Sequence, residues 1–399
     1  MTQLRIFVTK NWLEVIFLLT ACVVWLFVVF AVPNAHVDEK VHSRQIHHFL
    51  IGKYAILSNL TTIPGYHVVM AFLAKLTGLD DLQGLRLMSL ILCSVSIFIF
   101  FLIAKEFQAE NPLLKTVQFA FFPLSFVYFP LLYTDIFSLL LLLTAFYFSI
   151  KKKYWLAALF SLFSLLVRQN NIVWIIFFWM YSYIQENQYM ITFDKIIFYC
   201  RRTAGYIIVF MAFILFLIIN HGVAVGDKVM QQAGFYRGNL YFFLVVAGIL
   251  FWPTFFTNTK KYLFKKSSII GFSVGFAIAL SFVFFIPELH KYNLKIYFLK
   301  NLLLFLAYQK YVWLYASMIL LGYLAIFQMK LEKKSYILFP FIVAELIPPM
   351  FMDERYYIVP FVFILLFRKE LSKKAEMFLI FYFILLSFLY AYSLYFNHF

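Results

Sequence analysis

Two adjacent carboxylates, Asp38 and Glu39, follow the first long apolar run of the chain. A carboxylate at such a position can act as a general base and take the proton from an acceptor hydroxyl group. With an ordinary pKa of about 4, it is ionised at neutral pH and needs placement more than tuning. An ordinary hydrated loop that happens to contain the pair is the alternative. We predict Asp38 as the general base and Glu39 as the second candidate.

Three basic residues break the positive-inside trend, because the order of apolar runs places them on the non-cytoplasmic side, beside amides or carboxylates: Arg168, Lys228 and Arg355. Arginine binds phosphate through two parallel hydrogen bonds and keeps its charge. We therefore predict that these three residues stabilise a phosphate leaving group. Pairing within the protein, such as Arg355 with Asp353 or Glu354, is an equally good explanation for any one of them.

Four more polar residues occur beside these cations or at a helix junction, and we predict that they orient donor or acceptor hydroxyl groups: Asp135, Asp227, Gln169 and Asn171. Asp135 lies between apolar runs, and ionisable groups at membrane depth usually face a cavity or a partner. A helix cap supplied by Thr134 or Asp135 is the alternative.

The histidines and cysteines do not have the spacing of a metal site or a disulfide framework. His36, His42, His47 and His48 have no cysteine nearby, and the three cysteines form no CxxC motif. We predict no cofactor and no metal-ligating residues; the chemistry does not require a metal ion and does not exclude one.

The composition indicates an integral membrane protein. Of 399 residues, 64% are hydrophobic and 13% are charged, whereas soluble domains are about 45–50% apolar and about 25% charged. The net charge of +16 comes from short Lys/Arg clusters between apolar runs, which is the pattern of cytoplasmic loops and excludes a nucleic-acid-binding surface.

The apolar runs predict an all-α polytopic fold with about thirteen transmembrane helices, since a span needs roughly 20 helical residues and fewer inside a bundle. These runs lie at about 12–33, 85–104, 116–132, 136–150, 154–167, 171–185, 203–220, 240–257, 268–287, 310–327, 335–350, 356–367 and 375–394. A shorter run at about 64–78 begins with Pro64-Gly65 and is predicted as a re-entrant or interfacial helix.

With the N-terminus in the cytoplasm, alternation over these spans places every Lys/Arg cluster on the cytoplasmic side. The polar motifs then fall on the opposite side. We predict one membrane domain over residues 1–399, in which residues 34–63 form the first non-cytoplasmic loop and carry the proposed catalytic carboxylates.

Taken together, the polar motifs resemble those of the dolichyl-phosphate-glucose-dependent alpha-1,2-glucosyltransferases, which add the last glucose to the lipid-linked N-glycan precursor. The matching segments, in the order of that family, are Val37-Asp38-Glu39 through Gln45, Thr61-Thr62-Ile63-Pro64-Gly65, Leu85-Arg86, Phe122-Pro123 through Tyr133-Thr134-Asp135 and Ser138, Arg168-Gln169-Asn170-Asn171-Ile172-Val173-Trp174, Gly222 to Lys228, and Arg355-Tyr356-Tyr357-Ile358.

The resemblance implies a glycosyltransferase of the GT-C type with its active site on the luminal or periplasmic side. It implies inverting transfer of glucose from dolichyl phosphate glucose to a lipid-linked oligosaccharide, by a multi-pass protein of the endoplasmic reticulum membrane, or of the cytoplasmic membrane in a bacterium. A polyprenyl-phosphate-sugar transferase with another sugar or acceptor, a transporter of lipid-linked glycans and a non-enzymatic membrane scaffold are the alternatives.

Overall fold

The computed structural model describes residues 11–107, 109–226, 228, 234–262, 266–295 and 299–395. Within them the regular secondary structure is helical, and no strand forms beyond one isolated bridge between Leu331 and Arg368. The predicted all-α fold class is confirmed for this part of the chain.

The helices follow one another closely along the chain. Up to residue 220 they are α1 (Trp12–Ala31), α2 (Glu39–Leu50), α3 (Gly65–Thr77), α4 (Leu82–Glu106), α5 (Pro112–Ala120), α6 (Pro123–Phe126), α7 (Thr134–Ile150), α8 (Tyr154–Leu165), α9 (Ile172–Asn187), α10 (Phe193–Arg202) and α11 (Ala204–Asn220). The remaining α-helices are α12 (Gly238–Tyr262), α13 (Lys266–Phe284), α14 (Leu299–Gln309), α15 (Val312–Gln328), α16 (Leu338–Leu346), α17 (Ile358–Phe367) and α18 (Lys373–Tyr395). Short 3₁₀ helices occupy Gln169–Asn171, Lys333–Ile337 and Glu354–Tyr357.

The helices make a multi-pass membrane protein, but the count of thirteen spans is not confirmed. In the described residues, four helices are long and apolar enough to cross a bilayer by themselves: Trp12–Ala31, Leu82–Glu106, Gly238–Phe255 and Lys373–Ser393. A fifth span results if α10 and α11, which meet at 81°, count as one. Several predicted runs form shorter apolar helices instead.

Proline explains one of these differences. The predicted span at 116–132 is divided between α5 and α6, and Pro123 begins the second helix. Proline lacks a backbone N–H and its ring disfavours helical geometry in the residue before it, which favours the break between α5 and α6.

The short apolar run at 64–78 forms α3, as its Pro64-Gly65 start indicates. Gly78 ends the helix in the left-handed region (φ = 73°), and its N–H donates to the carbonyl oxygen of Ala74 at 2.8 Å. Thirteen residues give a length of about 20 Å, which is less than a bilayer core of about 30 Å. Its re-entrant or interfacial placement stays a prediction.

The chain divides into two compact units. The N-terminal unit contains the described residues up to Ala120, those from Ser125 to 228, and Lys334–Phe341. The C-terminal unit contains Phe121–Leu124, the described residues from 234 to Lys333, and those from Ile342 to 395. The single membrane domain predicted for residues 1–399 stays a prediction.

In the N-terminal unit, α7 is the central helix. Every side chain from Thr134 to Phe146 is buried, and α4, α8 and α9 pack against it. A helix that is apolar on all sides belongs inside a bundle. By contrast, α11 buries only Gly205, Tyr206 and Val209, so its apolar surface is available to lipid.

In the C-terminal unit, α12 and α15 pack through two glycines. The backbone of Gly248 comes so near that a Cβ atom there would lie 2.9 Å from the carbonyl oxygen of Met318. A Cβ atom on Gly322 would overlap the carbonyl group of Leu244. Small residues allow such close approach of two helix backbones, which is how helices associate where lipid replaces water.

We expect Gly322→Ala to lower the stability of the protein, although alanine favours an isolated helix over glycine by about 1 kcal/mol. The added methyl group forces α12 and α15 apart, and overpacking of this kind typically costs about 1–3 kcal/mol. The midpoint of thermal unfolding in detergent measures the effect. Ser317→Ala on the same helix is the control, because Ser317 is exposed and its hydroxyl donates only to the carbonyl of Trp313 at 2.8 Å. Equal midpoints for the two variants would contradict the close approach.

Candidate active site

Asp38 lies at the start of α2, in the polar segment that the sequence predicted as a loop. Its backbone carbonyl accepts hydrogen bonds from the N–H groups of Val41 at 2.9 Å and His42 at 3.0 Å. Its side chain is half-buried. The helix therefore holds Asp38 at a defined place at the first turn, and residues 34–63 are not a loop throughout.

Glu39 is completely buried, and both of its carboxylate oxygens are bound by the protein. Oε1 accepts from Arg86 Nε at 2.9 Å and from the backbone N–H of Leu132 at 3.0 Å. Oε2 accepts from Arg86 Nη2 at 2.6 Å and from the backbone N–H of His36 at 3.0 Å. These contacts join the start of α2 to α4 and to the segment that precedes α7.

Arg86 completes this arrangement from the other side. Its side chain is fully buried, and beyond Glu39 it donates from Nη1 to the carbonyl oxygen of Val32 and from Nη2 to that of Asn34 at 2.9 Å. The role of Arg86 as a buried partner was missed in the sequence. A single arginine near the start of an apolar run was the available signal, since a charge at membrane depth requires a partner.

Burial also affects His36, which precedes the two carboxylates. Loss of water lowers the pKa of the His36 ring from its ordinary value; the negative charge of Glu39 opposes this shift, and the positive charges of Arg86 and Lys40 add to it. The ring is therefore neutral at pH 7, where it adds no positive charge beside Asp38.

The Thr61–Gly65 turn is held by two other predicted motifs. The side-chain amide of Gln169 donates to the carbonyl oxygens of Thr61 at 3.1 Å and Val223 at 2.9 Å. The N–H of Gly65 donates to the carbonyl of Leu166 at 2.8 Å, and the N–H of Val225 donates to that of Thr61 at 3.2 Å. Three motifs that are distant in sequence thus share one set of hydrogen bonds.

Asp135 and Arg168 form an ion pair. Asp135 is nearly fully buried at the start of α7, and Arg168 keeps 18% of its side chain exposed. Three residues after Arg168, Asn171 is buried, and its amide donates to the hydroxyl of Ser138 at 2.7 Å and to the carbonyl of Ser164 at 2.9 Å. These contacts fix the Arg168–Asn171 motif against α7 and α8.

The last motif of the N-terminal unit is described only in part. Asp227 lies outside the described residues. Lys228 is exposed, and its ammonium group donates to the carbonyl oxygen of Asn220 at the end of α11. The amide of Asn220 in turn donates to the carbonyls of Gly222 at 2.7 Å and Ala224 at 2.8 Å.

Arg355 belongs to the C-terminal unit, where it pairs with Asp353. Its Nε donates to Asp353 Oδ1 at 3.1 Å and its Nη2 donates to Oδ2 at 2.9 Å. The backbone N–H of Arg355 also donates to Oδ1, at 3.0 Å. Glu354 accepts instead from the hydroxyl of Tyr390 at 2.9 Å. Internal pairing, one of the two explanations offered for Arg355, is present in the structure.

The histidines near the carboxylates also bind within the protein. His42 Nδ1 and His67 Nε2 lie 2.8 Å apart in a buried hydrogen bond. Among the described residues, no three histidine, cysteine, aspartate or glutamate side chains are grouped closely enough to hold a metal ion.

The helices and their buried polar contacts define a multi-pass membrane protein with a polar site in its N-terminal unit. A sequence profile of the DIE2/ALG10 family matches residues 32–195 and 182–366 of this chain. These matches include every segment from Asp38 to Arg355 that carries a predicted site residue. The chain belongs to the DIE2/ALG10 family, and the family resemblance of its motifs is confirmed.

Curated relatives with the name Dol-P-Glc:Glc(2)Man(9)GlcNAc(2)-PP-Dol alpha-1,2-glucosyltransferase match the chain at modest identity. The protein of Yarrowia lipolytica is 26% identical over 277 residues, which are 61% of this chain and 53% of that protein. The protein of Mus musculus is 21% identical over 408 residues and 86% of each chain. Thus the match spans about half of the Yarrowia relative but most of the mouse relative. The crystal structure of ArnT from Cupriavidus metallidurans in the apo state aligns with 84% of this chain and 63% of that one, at 13% identity and a TM-score of 0.46.

We expect Glu39→Gln to destabilise the protein strongly, because it leaves the buried guanidinium of Arg86 without its counter-charge. Removing one partner of a buried ion pair costs about 3–5 kcal/mol. Thermal unfolding of the purified protein in detergent measures the loss.

The matched control is Glu106→Gln. Glu106 pairs with Lys151 at 2.6 Å, but both side chains are 37% exposed, and an exposed pair contributes only about 0–1 kcal/mol. If both variants unfold at the same temperature, the buried Glu39–Arg86 pair contributes no more to stability than the exposed Glu106–Lys151 pair.

Proposed function

We propose that this protein transfers glucose from dolichyl phosphate glucose to a lipid-linked oligosaccharide, forming an alpha-1,2 linkage with inversion at the sugar. The family match over residues 32–366 and the printed activity of the relatives from Yarrowia and mouse support this reaction. We further propose a GT-C-type architecture in the endoplasmic reticulum membrane, with the polar motifs on the luminal side.

The observation that carries the proposal is the different solvent exposure of two neighbouring carboxylates, Asp38 and Glu39. Glu39 is fully buried and bound on both oxygens by Arg86 and backbone N–H groups, so its proton-accepting lone pairs are committed. Asp38 is half-buried on the same turn. We therefore assign proton abstraction to Asp38 and a positioning role to Glu39, which fixes the backbone that carries Asp38.

The chemistry requires few groups. The hydroxyl oxygen of the acceptor attacks the anomeric carbon of glucose while the bond from that carbon to the phosphate oxygen breaks. The hydroxyl proton passes to the carboxylate of Asp38, and dolichyl phosphate leaves with the bonding electrons. Phosphate is a good leaving group, and cations that offset its charge lower the barrier.

Arg168 is our first candidate for contact with that phosphate. It is partly exposed and oriented by Asp135, and an arginine held on one edge by a carboxylate can present its other N–H groups to an anion. The same role for Lys228 and Arg355, and a substrate-orienting role for Asp227, rest on the resemblance of their motifs alone.

The amides of Gln169 and Asn171 are engaged with protein carbonyls and a hydroxyl. We propose that they act on the substrate indirectly, by holding the Thr61–Gly65 turn and α7 in register with Arg168. Asp135 likewise acts through its ion pair with that arginine.

We expect Asp38→Asn to reduce transfer by about 10²–10⁴-fold, the contribution of a general base. The measurement is transfer of label from dolichyl phosphate glucose to a glucosylated lipid-linked oligosaccharide by purified protein. Asp80→Asn is the matched control, because Asp80 is an exposed carboxylate between α3 and α4. The proposal requires the Asp80 variant to keep wild-type activity and both variants to unfold at the wild-type temperature. Full activity of a folded Asp38→Asn protein would remove Asp38 from the chemistry.

The same assay separates the alternatives. A transferase for another sugar fails with dolichyl phosphate glucose but accepts a different polyprenyl-phosphate sugar. A transporter moves the intact lipid-linked glycan across a vesicle membrane without forming a new glycosidic bond. Transfer from neither class of donor, with the protein folded, would refute the enzymatic proposal.

We expect Arg168→Gln to weaken inhibition by the product, dolichyl phosphate, by about 10–100-fold, since a hydrogen bond to a charged group contributes about 1.5–3 kcal/mol. The inhibition constant in the transfer assay measures this effect. Arg44→Gln is the control, because Arg44 is exposed on α2. An unchanged inhibition constant for Arg168→Gln would restrict Arg168 to its ion pair with Asp135.

A further inference from the structure

A three-lysine turn joins α7 to α8, away from the candidate active site. Its N–H groups donate in succession to the last turn of α7: Lys151 to Tyr147 at 3.1 Å, Lys152 to Ser149 at 2.9 Å and Lys153 to Phe148 at 2.9 Å. Lys152 has a φ of 57°, in the left-handed region that residues other than glycine seldom adopt. Lys151 is bound by Glu106. These backbone hydrogen bonds fix the positions of Lys152 and Lys153, and both residues are exposed.

Helix α10 brings a second basic element. It is amphipathic: Phe193 and Phe198 are 76% and 64% exposed, whereas Tyr199 is buried and donates from its hydroxyl to the carbonyl of Trp179 at 2.7 Å. Its last turn carries Arg201 and Arg202.

The direction of α10 places it along a membrane surface. It meets α11 at 81°, and α11 is an apolar helix with most of its surface uncovered by protein. If α11 crosses the bilayer, α10 lies nearly parallel to the interface, the orientation that an amphipathic helix with exposed aromatic residues adopts.

Arg202 is oriented by its neighbours. Its guanidinium pairs with Glu186 Oε2 at 2.9 Å and lies over the ring of Tyr154, 5.6 Å from the ring centre. The hydroxyl of Tyr154 donates to the other oxygen of Glu186 at 2.6 Å. Both oxygens of the Glu186 carboxylate therefore accept hydrogen bonds, one from Arg202 and one from Tyr154.

These elements enclose an open pocket of about 260 Å³. Its lining consists of Lys152, Lys153, Tyr154, Trp155, Leu156 and Arg202. Three of the six residues are cations and none is a carboxylate. Trp155 is 64% exposed, and tryptophan is the residue most typical of the boundary between headgroups and acyl chains. The lining therefore combines basic and apolar side chains.

We propose that this pocket binds the phosphate-bearing headgroup of an anionic phospholipid. Basic pockets between helices at the cytoplasmic surface have the chemistry to hold such headgroups, and the charge pattern of the sequence predicts this turn on that side. The phosphate oxygens accept from Lys152 and Lys153, the guanidinium of Arg202, held by Glu186, offers further N–H donors, and an acyl chain extends along Trp155 and Leu156. This site is independent of glycosyl transfer.

The test is lipid binding by the full-length protein in detergent, followed by native mass spectrometry. Phosphatidylglycerol and phosphatidylcholine with identical acyl chains are titrated separately, and the tightest binding constant is compared. We expect the wild-type protein to bind phosphatidylglycerol tightly but not phosphatidylcholine. The Lys152→Gln/Lys153→Gln protein should bind phosphatidylglycerol about 30-fold more weakly than the wild-type protein does. Lys152→Arg/Lys153→Arg keeps the charges and retains binding. Lys373→Gln/Lys374→Gln, at another exposed basic pair, is the matched control and leaves it unchanged.

Three results would overturn the proposal. One is equal binding of both lipids by the wild-type protein, which would indicate apolar packing alone. Another is undiminished phosphatidylglycerol binding by a Lys152→Gln/Lys153→Gln protein that unfolds at the wild-type temperature. The third is displacement of the lipid by inorganic phosphate at equal concentration, which would assign the pocket to a soluble anion.

Discussion

The buried pair of Glu39 and Arg86 is the constraint on which the N-terminal unit depends. Neither side chain contacts solvent, so each charge must be compensated inside the protein. The pair gains further hydrogen bonds from backbone groups at the end of α1 and before α7. One ion pair thereby sets the position of Asp38, the residue beside it.

Other buried polar side chains around the site also hold a neighbouring group in place. The amide of Gln169 ties two backbone segments, and Asp135 orients Arg168. In each case the polar atoms of a buried side chain bind a neighbouring group and hold it in place, while that neighbour stays partly exposed to solvent. This arrangement suits a membrane protein because unpaired polar groups at depth are costly.

Hydropathy was sufficient to predict the membrane class, the long helices such as α1 and α4, and the short helix α3. It missed α2 and α10, because an amphipathic or polar helix resembles a loop when only the apolar content of a window is read. Its count of about thirteen spans is not confirmed, and the apolar run at 116–132 is interrupted near Pro123.

The motifs offered one internal pair that the structure contains, Arg355 with Asp353, but not the pairing of Glu39 with Arg86. Residue type alone could not distinguish Asp38 from Glu39, since both are carboxylates on one turn. Their difference arises from Arg86, 47 residues after Glu39 in the chain, which only the packing of α2 and α4 brings within hydrogen-bonding distance. The lone arginine in an apolar run indicated that Arg86 requires a partner, but the sequence did not indicate which carboxylate that partner is.

The amide of Gln169 has a consequence for the order of assembly during synthesis. It joins Thr61, 108 residues earlier, to Val223, 54 residues later. At about 5–20 residues per second on the ribosome, the turn at Thr61 exists for several seconds before Gln169 is made and for several more before Val223 follows. Until then the early helices can insert into the membrane, but the hydrogen bonds from Gln169 to this turn and to Val223 cannot all form. The insertion machinery must therefore tolerate a nascent membrane protein whose polar site is incomplete.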